Sequence, residues 1–156
     1  MPKISPFLWF DTEAEAAANF YVSVFPNSKI TSIMRNDGNA PGPKGSVLVV
    51  GFEIDGQQVS ALNGGPYNKL SEAFSFVIRC KDQQEVDYYW DTLSEGGQTN
   101  VCGWTKDRFG LSWQVVPEEF FKLAADPDPQ KVSRVMAAMM KMTKFDVAKL
   151  REAHEG

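Results

Sequence analysis

Histidine, cysteine and surplus positive charge are all scarce in this sequence. It has one His and two Cys, and 16 Lys and Arg stand against 20 Asp and Glu. Each shortage closes a class of function. Transition-metal sites draw on imidazole, thiolate and carboxylate, and the sole imidazole, His154, sits two residues from the last residue, where a frayed end is expected. Cys80 and Cys102 lie 22 apart with no C-x-x-C, which excludes a zinc knuckle or a thioredoxin motif and leaves two buried free thiols as the expectation. A net charge of −4 without clustered Lys and Arg excludes phosphate-backbone recognition, so no nucleic acid is expected. Residues 117–156 hold seven acidic and seven basic groups, so there is no charged arm. No apolar run reaches the roughly 18 residues of a membrane helix, and MPKISPFLWFD is too short in its apolar part for a signal peptide. A cytoplasmic protein with no membrane partner is expected. There is no P-loop, no H-E-x-x-H and no G-x-S-x-G.

What remains is ordinary globular material, with 43% hydrophobic and 23% charged residues, enough for a core without disulfides or structural metal. Residues 4–10, aromatic and ending at Asp11, predict a strand. Thr12 with Glu15 predicts a capping box, followed by Ala17, Phe20, Tyr21, Val24 and Phe25 at helical spacing until Pro26-Asn27. Residues 29–35 predict a second strand. Residues 36–45, with three Gly and two Pro, predict a mobile loop. Residues 47–54 and 58–62 predict two strands joined by the hairpin signal Asp55-Gly56.

The order then recurs. Residues 73–80 predict a strand. Asp82 with Glu85 caps a helix whose Val86, Tyr89, Trp90 and Leu93 share one face, and Gly96-Gly97 ends it. Residues 98–106 predict one strand, 107–110 a turn, and 111–116 the returning strand. The two helix caps lie about 71 residues apart, the mark of an internal duplication. Beyond Pro117 the chain predicts helices: 118–125, a stripe of Val132, Val135, Met136, Met139 and Met142, and a last short helix capped by Asp146 and carrying Val147 and Leu150. The Met-rich stripe is expected to pack on a sheet edge or across a dimer.

Several stretches carry a family resemblance: Phe7-Leu8-Trp9-Phe10-Asp11; Phe20-Tyr21-Val22-Ser23-Val24-Phe25-Pro26-Asn27-Ser28; Ala61-Leu62-Asn63-Gly64-Gly65; Cys102-Gly103-Trp104; and Asp107-Arg108-Phe109-Gly110 with Ser112-Trp113-Gln114. With the paired strand–helix–strands order, the chain resembles the vicinal oxygen chelate superfamily of glyoxalase and bleomycin-resistance proteins. Within it, it resembles the PhnB-like branch labelled 3-demethylubiquinone-9 3-methyltransferase. The resemblance implies an α+β fold. A glyoxalase-like domain over residues 1–117 would be built of two βαβββ modules (1–66 and 72–117) curling into a concave sheet, with a helical extension over 118–156. It also implies a homodimer. In the superfamily's metal enzymes each module supplies two ligands, and the positions nearest them here are Ile4, Asn63, Ser75 and Gln114. None is a strong donor, so no catalytic metal and no cofactor are expected.

Strand parity adds to this. If Phe76, Ile78 and Cys80 pack under the second helix, then Ser75, Val77 and Arg79 face the concave side, with Ser112, Gln114 and Val116 beside them. A largely apolar cup with a few neutral hydrogen-bonding groups suits a small, partly apolar molecule. The candidate binding residues are Asn63, Ser75, Arg79, Cys102, Trp104 and Gln114. Cys102 as a nucleophile would need a base or a cation, for which Lys106, Arg108 and Arg79 are the candidates; a packed thiol is the simpler reading. Methyl transfer from S-adenosylmethionine is the competing reading. It lacks a Gly-rich strand-to-helix turn, since the joints read Phe10-Asp11-Thr12 and Cys80-Lys81-Asp82. An interaction module working through the Met-rich tail is a third.

Overall fold

The computed structural model describes residues 2–156 and falls into two compact units, one ending at Leu70 and one spanning Ser71–Gly156. The first is built from β1 (Phe7–Phe10), α1 (Ala14–Val24), β2 (Lys29–Arg35), β3 (Val47–Ile54) and β4 (Gln57–Asn63). The second holds β5 (Ser75–Cys80), α2 (Gln83–Ser94), β6 (Gln98–Thr99), β7 (Trp104–Lys106) and β8 (Ser112–Pro117), then α3 (Glu118–Ala124), α4 (Pro129–Met139) and α5 (Val147–Glu155). Each unit has one four-stranded mixed sheet, ordered β1-β4-β3-β2 and β5-β8-β7-β6. The orders superimpose term by term, with the outer pair parallel and the rest antiparallel. The duplication read from the sequence is thus a duplication of topology.

One face of each sheet is covered by its helix. In the first unit Ala17, Ala18 and Tyr21 of α1 and Val50, Phe52, Val59 and Ala61 of the sheet are fully buried, and the Tyr21 and Phe52 rings stand 6.1 Å apart. Burying a side chain of this size contributes roughly 1.5–3 kcal/mol. In the second unit the α2 face is the one the spacing marked, with Val86, Tyr89, Trp90 and Leu93 buried.

Several expectations change. The strand expected from residue 4 begins at Phe7, because Pro6 has no N–H for the ladder; its carbonyl accepts from Ser60 N at 3.1 Å. The Thr12–Glu15 capping box does not form. Helix α1 starts at Ala14, and Ala14 N donates to Asn63 Oδ1 at 2.8 Å, so the cap comes from the end of β4. In contrast Asp82 caps α2 locally, accepting from Glu85 N at 2.9 Å. The expected mobile loop after β2 is folded around Asn36, which is buried. Its amide donates to the carbonyls of Ala40, Pro41 and Gly42 and accepts from Gly38 N and Ala40 N.

The single strand expected over 98–106 is two strands. The turn between them puts Cys102 at φ 59° and Gly103 at φ 79°. Cys102 N and Gly103 N donate to the carbonyls of Met142 and Thr143, each at 2.8 Å, while Gly103 O accepts from Val115 N of β8 at 2.8 Å, so the backbone here bridges the C-terminal segment and its own sheet. A Cβ on Gly103 would stand 2.5 Å from the Phe145 ring and 2.8 Å from Val115 O. The break supplies the strand that completes the second βαβββ count. Nearby, Gln83 Nε2 donates to Phe145 O (2.9 Å) and Val147 N donates to Gln83 Oε1 (2.8 Å), tying the last helices to α2. Nor does the chain end fray: His154 Nε2 lies 2.8 Å from Asp126 Oδ2, and Arg134 donates to the carbonyls of Ala153 and His154. No helix among the described residues is long and apolar enough to cross a membrane.

Candidate functional site

The register of the second sheet arranges the side chains turned away from α2 into three rows. Ser75, Ser112, Lys106 and Gln98 form one row, Val77, Gln114 and Trp104 the next, and Arg79 with Val116 the third. The parity argument therefore holds for Ser75, Val77, Arg79, Ser112, Gln114 and Val116. Val77 is 50% exposed although it sits mid-strand, so this face of the second unit carries exposed apolar surface.

Each polar group on the face has a definite state. Gln114 Nε2 donates to Ser75 Oγ at 3.0 Å. The Arg79 guanidinium stacks on the Phe121 ring of α3, 4.0 Å from its centroid, and no carboxylate lies within ion-pair distance of it among the described residues. Lys106 Nζ is paired with Glu72, and that hydrogen bond holds the Glu72 carboxyl below its ordinary range. Beside this pair lies a pocket of about 100 Å³ lined by Glu72, Gln98, Asn100, Trp104, Lys106 and Ser112, with Thr105 behind. Ser112 is 2% exposed, and its hydroxyl has no hydrogen-bond partner among the described residues. Such a group costs about 1–3 kcal/mol of desolvation.

The remaining candidates fall elsewhere. Asn63 is committed to structure, capping α1 through Oδ1 and donating to Val47 O at 3.1 Å through Nδ2. Cys102 lies in the β6–β7 turn, half-buried instead of buried, with its sulfur 3.8 Å from Met140 Sδ. The cations considered for it are engaged: Lys106 with Glu72, Arg79 with Phe121, and Arg108 over the Phe109 ring. Cys80 is buried, and desolvation, with Glu85 and Asp82 adding to it, pushes its thiol up to about 12. It is an inert core residue.

Ser75 and Gln114, the second module's positions nearest the superfamily's metal ligands, are neutral and bonded to each other. In the first module Ile4 is 87% exposed and Asn63 is occupied. Among the described residues no three His, Cys, Asp or Glu converge. This donor set does not fit a transition-metal ion.

Sequence reasoning passed over three residues. Asp107 is a buried carboxylate that accepts from Phe109 N (2.9 Å), Leu111 N (3.1 Å) and Trp113 Nε1 (2.8 Å); an Asp opening a four-residue turn was the available signal. Gln83 and Glu72 carry no local signal, because their partners lie far along the chain.

Two βαβββ modules with identical strand order define a protein of the glyoxalase, or vicinal oxygen chelate, type. The family model described as 3-demethylubiquinone-9 3-methyltransferase matches residues 2–116, and the chain belongs to that family. The PhnB protein of Bacillus cereus is similar at 32% identity and a TM-score of 0.68, over 74% of this chain and 99% of its own. A crystal structure of a Pseudomonas aeruginosa protein shares the fold at 20% identity and a TM-score of 0.61, over 75% of this chain and 98% of its own. No curated protein matches the sequence.

Proposed function

We propose that this PhnB-like protein holds a small, partly apolar molecule on the face of its second module turned away from α2, without a transition-metal ion. The observation that carries the reading is the exposed mid-strand Val77 in a row with Gln114 and Trp104, flanked by a guanidinium on one side and a polar pocket on the other. Apolar floor with a few fixed polar groups is the usual make-up of a ligand site. Self-association is part of the reading, and exposed Val101, Met136 and Met140 are the apolar surface it would use.

A thermal-shift screen of aromatic and aliphatic metabolites tests it, since anything that binds only the folded form raises Tm. At least one compound class raises Tm in the native protein, and the shift disappears in Val77→Glu and Trp104→Ala. Absence of any shift, or a shift insensitive to both variants, overturns the reading. The family description favours methyl transfer as the second reading. Calorimetric titration with S-adenosylmethionine decides it: no heat removes that reading, and saturable heat installs it.

A further inference from the structure

The polar groups on this face are sorted by charge, and the sorting specifies the two ends of a ligand. At one end, Lys106 is already neutralised by Glu72, which stays ionised. Beside the acceptor oxygens of Gln98 and Glu72, the pocket keeps three donors. Lys106 has ammonium protons beyond the one given to Glu72. Asn100 spends its Oδ1 on Val101 N and keeps its NH2. Ser112, a residue of the pocket lining, has a hydroxyl that is buried and, among the described residues, unpartnered. A second carboxylate here would face the charge of Glu72. A neutral acceptor oxygen would not, and it would satisfy Ser112 Oγ and Lys106 Nζ together.

At the other end Arg79 presents a guanidinium with one face on Phe121 and no carboxylate within ion-pair distance among the described residues. Guanidinium edges in this state pair with carboxylates. Arg79 and Ser75 are four residues apart on β5, so the two ends are separated by about 13 Å of strand, with Val77, Gln114 and Trp104 between them.

Resting on the small-molecule reading above, we propose that the ligand is an apolar-bodied carboxylate with a neutral carbonyl oxygen at its far end. The carboxylate pairs with Arg79, the body lies over Val77 and Trp104, and the carbonyl accepts from Ser112 Oγ and Lys106 Nζ. Ser112 is then a specificity residue whose hydroxyl is held for a ligand.

The experiment uses the full-length protein and para-acetylphenylpropanoate, which has a ketone at one end and a carboxylate at the other. The comparators are para-ethylphenylpropanoate (no carbonyl), para-carboxyphenylpropanoate (a second carboxylate) and para-acetylphenylpropanamide (no anion). Calorimetry gives Kd, and melting of the free protein is recorded alongside. The acetyl acid binds tightest. Ser112→Ala weakens it about tenfold and leaves the ethyl acid unchanged. Arg79→Gln weakens both acids and leaves the amide unchanged. Ser112→Ala also raises Tm of the free protein, because it removes an unpartnered buried hydroxyl; a purely structural serine would lower it. Equal affinity for acetyl and ethyl acids overturns the proposal, as does preference for the dicarboxylate, or loss of Tm in Ser112→Ala with affinity unchanged. In each of those cases binding that Val77→Glu abolishes leaves the small-molecule reading standing. If none of the four compounds binds, this proposal falls. If the wider screen also yields nothing, the reading beneath it falls with it.

Discussion

The two modules share strand order, pairing sense and helix placement, yet they are held together differently. The first has strands of four, seven, eight and seven residues, and the second six, two, three and six. Long strands bring their own ladder bonds, and the first module closes with a tight hairpin at Asp55 (φ 48°) and Gly56 (φ 78°). The second module, with its short middle strands, is buttressed by bonds other than ladder bonds. Met142 and Thr143 pair with the β6–β7 turn, Gln83 grips Phe145 and Val147, and the Asp107 carboxylate ties the last turn to Trp113. A topology can thus be kept while its bonds are moved from strand ladder to side chain and tail. The module with the weaker ladder is the one whose outer face carries the varied polar groups.

This contrast can be broken from the second module first. Gly103→Ala forces a Cβ into Phe145 and Val115 O at φ 79°. It is expected to destabilise by about 3–4 kcal/mol in urea unfolding, against about 1 kcal/mol for Gly110→Ala, where φ is 93° but an added Cβ would meet no non-adjacent atom within 4 Å among the described residues. Asp107→Ala strands two backbone N–H groups and the Trp113 indole N–H; a loss of about 3 kcal/mol is expected, with Trp fluorescence reporting the freed ring. In the first module Asn63→Ala removes the borrowed cap and is expected to cost about 1–2 kcal/mol, which circular dichroism would show as fraying of α1.

The smallest effect is a pH dependence. Lys144 pairs with Asp87 at 2.8 Å. The Lys144 hydrogen bond, then that of Gln83, holds the Asp87 carboxyl below its ordinary value. The same Asp87 bond raises Lys144 above 10.5. The Asp87 share of stability is full above its unfolded pKa and lost as pH falls through the lower folded value. The Lys144 share is full below 10.5 and lost as pH rises past its higher folded value. Asp87→Asn should remove both limbs, by about 0.5 kcal/mol or less for so exposed a pair, read from urea midpoints at acid, neutral and alkaline pH.

Local signals were legible in the sequence. The limits of β2 and β3 follow from residue type, the α2 face from its spacing, and the Asp82 and Asp146 caps from side chains that bond within three residues. The misreadings share one cause. The break at Cys102-Gly103 depends on a partner about forty residues later, the α1 cap on one 49 residues later, and the grip of Gln83 on one 62 later. None of these leaves a periodicity. For the candidate site, alternation placed Ser75, Arg79 and Gln114 on one face. It did not show that Glu72 neutralises Lys106 or that Ser112 has no partner among the described residues, since both depend on tertiary placement.

The borrowed cap has a consequence for synthesis. A chain leaving the ribosome exposes α1 long before residue 63, so the helix start has no acceptor until the module's final strand is delivered and docked. Helix α2 carries its cap acceptor, Asp82, within its own first turn. The first module therefore acquires its native order only as a finished whole, and a translational pause placed shortly before Asn63 would lengthen the time that α1 is open to proteases and chaperones.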